Sequence, residues 1–237
     1  MQAIRAILFY VFSVLITPPF AIVATLILPL PAVMRYRIVS YWARSMLWVM
    51  RHVCRVNWSV TGLENITDKP AVIYCKHQSA WETMALQLIF PPQVYIAKRE
   101  LLWIPFFGWG LATVSTIFIN RKNGAAAKMQ MIRDAKARMA KGFWIVIFPE
   151  GTRIAPGERA KYKRGGAELA ITLGVPLVPV AHNAGEFWPK NSWRKIPGTI
   201  QMSIGRAIYP DDRNATTLTQ VAETWIETEV ARLSAKP

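Results

Sequence analysis

The sequence predicts an α/β fold in which a mostly parallel sheet is flanked by helices, preceded by an N-terminal membrane-embedded helical segment. From about residue 55 onward, short apolar runs alternate with stretches of helical periodicity. Several of these runs are apolar throughout, as strands buried on both faces are. Residues 6–33 contain no charged side chain. We therefore expect membrane-embedded and interfacial helices over residues 1–54 and an α/β domain over residues 55–237.

The uncharged stretch is "AILFYVFSVLITPPFAIVATLILPLPAV", which is longer than the ~20 residues that cross a hydrocarbon core of ~30 Å. Its length, the single Arg5 before it and the lack of a small-residue cleavage site before Arg35 argue against a signal peptide. Pro18 and Pro19 lie near its middle, where proline removes backbone donors and kinks a helix. Two half-helices that dip into one leaflet and a single tilted span both fit this pattern.

Basic residues follow the apolar segment at once, at Arg35, Arg37, Arg44, Arg51 and Arg55. Such residues favour the cytoplasmic side and anionic headgroups. The expected location is the inner (cytoplasmic) membrane of the cell, with the α/β domain on the cytoplasmic side. Residues 37–53 place apolar side chains at helical spacing opposite arginines, which fits an amphipathic helix at the membrane interface. A helix packed on the domain core is the alternative.

The chain carries 29 Lys and Arg against 14 Asp and Glu, a formal net charge of +15. This excess indicates an acidic partner such as nucleic acid, anionic lipid or a phosphorylated substrate. Because an apolar segment precedes the domain, we expect anionic membrane lipids and no nucleic acid. The two cysteines, Cys54 and Cys75, lie in or beside apolar runs, which indicates buried free thiols rather than a disulfide framework.

The α/β part divides into seven expected strands and four expected helices. The strands are predicted at residues 56–60, 71–75, 94–97, 115–119, 143–148, 176–180 and 200–205. The helices are predicted at residues 82–90, 124–141, 164–173 and 217–233. In open α/β sheets, sites form outside the carboxyl ends of strands, so the residues that follow these strands are the candidates for chemistry.

The stretch "YCKHQSAWET" places His77 just after a strand and Glu82 five residues later. A neutral imidazole is suited to proton abstraction near pH 7, and a carboxylate on its other nitrogen fixes the tautomer. An offset of five does not bring side chains together on one helix, so the pair works only if His77 lies on a loop that folds back over the helix start. A structural histidine followed by a helix-start acid is the alternative. A Cys75–His77 nucleophile pair is disfavoured because Cys75 lies within the apolar run.

Two further strand ends are candidate anion sites. Arg121 ends the strand in "FINRK", and "FPEGTR" at residues 148–153 combines a glycine turn, a threonine hydroxyl and an arginine fork suited to phosphate. Solvated strand ends and a simple β-turn are the alternatives. The stretch "VPLVPV" at residues 175–180 has no polar side chain, so it packs against the core or an acyl chain. No zinc-ligand spacing, P-loop or dinucleotide fingerprint occurs, so we expect no metal and no cofactor.

Taken together, "KHQSAWE", "IAKRE", "FINRK", "FPEGTR" and "VPLVPV" stand in the order and at the separations of the blocks of the glycerolipid acyltransferases. Over residues 55–205 the chain resembles the bacterial 1-acyl-sn-glycerol-3-phosphate acyltransferases, also called lysophosphatidate acyltransferases. The resemblance implies transfer of a fatty acyl group from acyl-CoA or acyl-carrier protein to the sn-2 hydroxyl of lysophosphatidic acid, giving phosphatidic acid. It also implies a glycerolipid acyltransferase-like fold and a two-helix membrane element, which favours the one-leaflet dip.

The resemblance implies a role for each candidate residue. In the family, the histidine of a His-x4-Asp motif takes the proton of the acceptor hydroxyl, and His77 matches that base. The family's FPEGTR block helps to bind the acceptor phosphate, with further cationic contacts nearby. These positions match Glu150, Gly151, Thr152 and Arg153, with Lys98 and Arg121 as the further contacts.

One position departs from the family pattern, because Glu82 stands where the family has aspartate. The orienting carboxylate therefore hangs from one extra methylene. Alternatives to the implied function are acyl transfer to another lyso-lipid, a non-catalytic lipid-binding membrane protein, and a hydrolase that uses water in place of the acceptor.

Overall fold

A seven-stranded sheet with helices on both faces forms the centre of the protein, in a computed structural model that describes residues 1–120 and 124–234. The strands are β1 (Val56–Thr61), β2 (Val72–Cys75), β3 (Gln93–Lys98), β4 (Ile117–Ile119), β5 (Trp144–Ile147), β6 (Leu177–His182) and β7 (Gly198–Ile204). The helices are α1 (Gln2–Leu26), α2 (Ala32–His52), α3 (Trp81–Ile89), α4 (Phe107–Thr113), α5 (Gly124–Met139), α6 (Gly165–Leu173), α7 (Ala184–Phe187) and α8 (Ala215–Ser234). All predicted strands and helices of the α/β part are present within a few residues of their predicted bounds, which confirms the predicted fold.

The strand order is β1-β7-β6-β2-β5-β3-β4, and five of the six neighbouring pairs are parallel. The exception is the antiparallel β6–β7 pair, which turns β7 and β1 against the other five strands. Strands β2, β3 and β5 run in the same direction, so their carboxyl ends lie at one edge of the sheet. The loops that follow β2 and β5 therefore meet there, beside the end of β3.

Two apolar layers cover the sheet, because successive side chains of its buried strands point to opposite faces. Ile73 and Val146 pack with α2 and α3 on one face. Val72 and Ile145 pack with α5, α6 and α8 on the other. Residues 177–180 of "VPLVPV" lie on β6, whose residues are all buried, so this part of the stretch packs in the core.

Helix α1 runs through Pro18 and Pro19 without a break, so of the two alternatives the half-helices divided at these prolines are not formed. Helix α1 contains both prolines, and the chain reverses at residues 27–31 before α2. Proline inside an apolar helix is tolerated where hydroxyls and a neighbouring helix compensate for the lost backbone bonds. Here the Thr17 hydroxyl donates to the Ser13 carbonyl at 2.6 Å and accepts from Trp42 Nε1 at 3.1 Å, which ties this part of α1 to α2.

Helix α1 is long and apolar enough to cross a membrane, and within its most apolar stretch 17% of the residues are buried in the protein. Helix α2 differs, because one of its faces belongs to the core layer that also contains α3 and β2. The alternative of a helix packed on the domain core therefore holds for that face. Tyr41 and Trp48 on the opposite face are exposed. The two helices thus join the α/β core to an exposed apolar surface, which indicates membrane association.

Candidate active site

The loop between β2 and α3 brings His77 and Glu82 together. Glu82 lies in the first turn of α3, and its Oε1 accepts from the backbone N–H groups of Gln78 at 3.0 Å and Ser79 at 2.9 Å. These bonds draw the loop back over the helix start and leave His77 Nδ1 2.7 Å from the same oxygen. The offset of five residues therefore produces contact through a folded-back loop. His77 thus lies on a loop that folds back over the start of α3, as the sequence required for this pair to work.

The Glu82 carboxylate is fully buried, yet its environment favours the ionised form. Burial alone would raise the pKa of Glu82, but the imidazoles of His182 and His77 and the Ser79 N–H outweigh it, so the pKa is lowered. Since a carboxylate only accepts, Nδ1 of His77 carries the proton and Nε2 is left to accept one. His182 lies 3.9 Å from the second Glu82 oxygen, while its Nε2 donates to the Lys76 carbonyl at 2.9 Å.

The loop after β5 holds His77 from the other side. The His77 ring stacks on Phe148 with centroids 4.0 Å apart and planes 17° apart. The backbone N–H of His77 donates to Glu150 Oε2 at 3.0 Å, and its carbonyl accepts from Ile154 N at 2.8 Å. The "FPEGTR" segment therefore fixes both the ring and the backbone of the histidine. These contacts fix the position of His77, whose side chain is 16% exposed and lines the adjoining cavity.

A buried ionic cluster lies beneath this loop, and sequence reasoning missed it. Lys76 Nζ is 3.0 Å from Glu150 Oε1 and 2.6 Å from Glu227 Oε1 on α8. Tyr162 donates its hydroxyl to Glu227 Oε1 at 2.8 Å. Burial raises the pKa of Glu150 to about 7, against the opposing influence of Lys76 and His77. The structure thus places Glu150 in the support of the His77 loop, whereas the sequence suggested contact with substrate.

A cavity of about 900 Å³ opens beside His77. Its polar wall contains four of the residues that the sequence singled out, namely Lys98, Gly151, Thr152 and Arg153. Much of the remaining wall is apolar, and helices α1, α2 and α4 contribute to it Phe20, Trp42, Met46, Phe107, Leu111 and Val114, the last just after α4. Arg121 lies outside the described residues. The cavity therefore joins a proton acceptor, a cationic wall and a long apolar wall.

The thiol of Cys75 does not take part in this arrangement. Cys75 is completely buried, and its Sγ donates to the Lys76 carbonyl at 3.2 Å. Burial, followed by the charges of Glu82 and Glu150, raises the pKa of this thiol well above its usual range. A thiolate nucleophile is therefore disfavoured at Cys75, and His77 faces the cavity without a reactive cysteine beside it.

Three comparisons place the chain among known proteins. A family model described as Acyltransferase matches residues 57–183. The chain is 44% identical to a 1-acyl-sn-glycerol-3-phosphate acyltransferase of Pseudomonas aeruginosa, over 98% of this chain and 93% of that protein. It is 30% identical to human 1-acyl-sn-glycerol-3-phosphate acyltransferase alpha, over 71% of this chain and 62% of that protein.

The fold also matches a solved structure. The crystal structure of the 1-acyl-sn-glycerophosphate (LPA) acyltransferase from Thermotoga maritima superposes with a TM-score of 0.82, covering 100% of this chain and 97% of that one at 21% identity. The identity to the Pseudomonas protein extends over nearly the whole sequence, so it includes the N-terminal helices as well as the α/β part. The chain therefore belongs to the 1-acyl-sn-glycerol-3-phosphate acyltransferase family.

Proposed function

We propose that this protein transfers a fatty acyl group from an acyl thioester to the sn-2 hydroxyl of 1-acyl-sn-glycerol-3-phosphate, forming phosphatidic acid. The observation that carries the proposal is the His77–Glu82 pair, with its 2.7 Å contact, at the wall of a cavity that is cationic on one side and apolar on the other. The names of the relatives supply the substrate class. Both parts are needed, because the pair alone would fit other proton transfers.

In the proposed reaction, Nε2 of His77 takes the proton of the acceptor hydroxyl while that oxygen attacks the carbonyl carbon of the thioester. The carbon–sulfur bond then breaks, and the proton passes from His77 to the departing thiolate. Glu82 stabilises the imidazolium that exists between these two steps. General-base assistance of this kind contributes roughly 10² to 10⁴ in rate. No covalent acyl-enzyme is required, so the absence of a thiol nucleophile at Cys75 is consistent with the scheme.

The cationic wall is the proposed site of the acceptor phosphate. Arg153 offers a bidentate fork, and Thr152 offers a hydroxyl from the turn at Gly151. Lys98 adds a charge from the end of β3 on the same cavity. Arg121 remains a proposed further contact from sequence alone. The phosphate would then hold the glycerol backbone with its hydroxyl near His77.

The apolar wall is the proposed site of the acyl chains. Several of its side chains come from α1, α2 and α4, so the cavity extends from His77 to the N-terminal helices. Either acyl-CoA or acyl-carrier protein could deliver the thioester, since both donors are anionic and the chain carries a net charge of +15. The reaction uses no metal or cofactor in this scheme.

We place the protein on the inner (cytoplasmic) membrane, with the cavity reached from the cytoplasmic leaflet and in contact with anionic lipids. Exposed apolar side chains run along α1, and Trp103 and Trp109 on the neighbouring segment are 84% and 53% exposed. Tryptophan and arginine at the edge of an apolar surface suit the lipid headgroup region. Arg35, Arg37 and Arg44 on α2 supply the basic component.

The test is to incubate membranes that contain the protein with a panel of lyso-lipids and both donor types, and to identify the products by mass spectrometry. Phosphatidic acid should form from lysophosphatidate and should not form with a His77→Ala variant. Equal or better use of a lysophospholipid that carries a headgroup would replace the proposed acceptor. Release of free fatty acid without any acceptor would instead indicate a hydrolase.

A further inference from the structure

Lys195 is a buried cation whose partners are aromatic rings. It is only 2% exposed, and its Nζ lies 4.1 Å from the ring centre of Trp188, 4.3 Å from that of Tyr10 and 5.0 Å from that of Phe9. Within residues 1–120 and 124–234, no carboxylate lies within 4.0 Å of this ammonium. Burial lowers the pKa of Lys195 to about 8, which leaves the group charged at neutral pH. The rings and two oxygen acceptors therefore stabilise a buried positive charge.

One of those acceptors is the Tyr10 hydroxyl on α1. Lys195 Nζ donates to this oxygen at 3.0 Å and to the Trp193 carbonyl at 2.9 Å. A phenol that accepts from an ammonium has its own proton left to donate. No acceptor for that proton is found in the described part of the chain. The Lys195 contact therefore orients Tyr10 as a hydrogen-bond donor.

Tyr10 presents this donor to the cavity described above. It is 37% exposed and lines the cavity together with Arg153, whose charge lies close enough to act on the hydroxyl. Ser13 and Thr17 also line the cavity from α1, but their hydroxyls donate to carbonyls of their own helix at 2.7 Å and 2.6 Å. Of these three hydroxyls, that of Tyr10 is therefore the one with a proton available to donate to a ligand.

We propose that Tyr10 donates a hydrogen bond to a phosphate oxygen of the acyl acceptor, and that Lys195 is the positioning residue that fixes this donor; the inference rests on the proposed function. An anionic oxygen fits the position better than a neutral carbonyl, because the hydroxyl is bonded to the ammonium of Lys195 and lies within the influence of the Arg153 charge. The phosphate would then be held between the "FPEGTR" loop and helix α1. Binding of the acceptor would require α1 to be docked on the α/β domain.

The test is steady-state kinetics of Tyr10→Phe with 1-acyl-sn-glycerol-3-phosphate in detergent micelles and the thioester that supports turnover by the parent protein. The KM for the acceptor should rise about tenfold or more, as expected for a lost hydrogen bond to a charged group, while the KM for the donor stays within about twofold. Tyr209→Phe, at an exposed tyrosine away from the cavity, is the matched control and should behave as the parent.

Lys195→Met removes the ammonium and keeps the side-chain length, and Lys190→Met is its control at an exposed position nearby. Lys195→Met should raise the acceptor KM, and the double variant Tyr10→Phe/Lys195→Met should be no worse than Tyr10→Phe alone. An additive double variant would show that Lys195 does not act through Tyr10. An unchanged acceptor KM in a folded Tyr10→Phe protein, or an increase confined to the donor KM, would overturn the phosphate contact.

These results separate the inference from the function on which it rests. If the parent protein does not acylate lysophosphatidate, the proposed function fails. If the parent is active and Tyr10→Phe matches it in acceptor KM, only the inference fails. Thermal unfolding of each variant in the same micelles shows that the proteins compared are folded.

Discussion

Replacing Glu82 by glutamine tests the negative charge of the His77–Glu82 pair with little change in the geometry of the pair. Oε1 of Glu82 accepts from three groups, His77 Nδ1 at 2.7 Å and the backbone N–H groups of Gln78 and Ser79 at 3.0 Å and 2.9 Å. A glutamine must therefore keep its oxygen at this position, and the histidine tautomer is preserved. The NH₂ group replaces Oε2, which has no hydrogen-bond partner among the described residues. The variant should fold and lose only the negative charge.

The expected size of the effect follows from that charge. Proton transfer to His77 creates an imidazolium beside the carboxylate. Two unit charges about 4 Å apart interact by about 4 kcal/mol at an effective dielectric constant of about 20. Since about 1.4 kcal/mol corresponds to a factor of ten in rate, Glu82→Gln should lower kcat by about 10³.

The assay is release of free thiol from the acyl donor at saturating acceptor, with thermal unfolding as the check on folding. Glu82→Asp is the matched variant, because it keeps the charge and shortens the reach by one methylene. It should retain activity within about tenfold of the parent, provided that the start of α3 shifts towards His77. A fully active Glu82→Gln protein would refute the reasoning and leave Glu82 as a helix-start acid that caps the loop.

Four further outcomes are expected. His77→Ala should abolish acyl transfer in a folded protein, and turnover that survives would remove the base assignment. Arg153→Ala should raise the acceptor KM by at least about tenfold without altering acyl-chain preference, because a charge-assisted bond to phosphate is lost; a changed preference with normal acceptor affinity would contradict the phosphate role. Lys76→Met should lower the free energy of unfolding by roughly 3–5 kcal/mol, since it leaves Glu150 and Glu227 without their shared cation. Denaturant unfolding measures this change, and an unchanged midpoint would contradict a stabilising role of the cluster. Burial raises the pKa of Glu150 from 4.5 to about 7, so between pH 4.5 and about 7 the folded protein holds a proton that the unfolded chain has released. The free energy of unfolding should therefore fall as pH rises through this window, and Glu150→Gln should flatten that dependence.

The strands could be predicted from sequence because their residues are apolar over whole short runs. Four consecutive buried residues in β2 and four apolar ones in β5 leave little choice of structure. The meeting of the loops after β2 and β5 also follows from parallel pairing. The sequence did not predict which strands reverse, and the antiparallel β6–β7 pair joins segments whose patterns resemble those of the parallel strands.

Buried cations were the main features that sequence reasoning could not place. Lys76 pairs with Glu227 across 151 residues, and no local pattern records such a contact. Lys195 lies in "EFWPKNSWRKIPG", a stretch of mixed basic and aromatic residues that suggests a surface. The structure instead buries this one lysine among rings contributed by α1 and the segment after α7. Both lysines are inside because distant partners compensate for their desolvation.

The "FPEGTR" block contacts both the His77 loop and the cavity, and the turn at Gly151 makes this possible. Gly151 has φ of 72°, a left-handed conformation that is costly for residues with a side chain beyond hydrogen, and its N–H closes a turn onto the Phe148 carbonyl at 3.0 Å. The reversal sends Glu150 inward, to Lys76 and the His77 backbone, and leaves Thr152 and Arg153 on the cavity wall. A single turn thus fixes the distance between the base and the proposed phosphate site. We infer that the carboxylate of this block acts on catalysis through the position of His77, while its arginine acts on the acceptor itself.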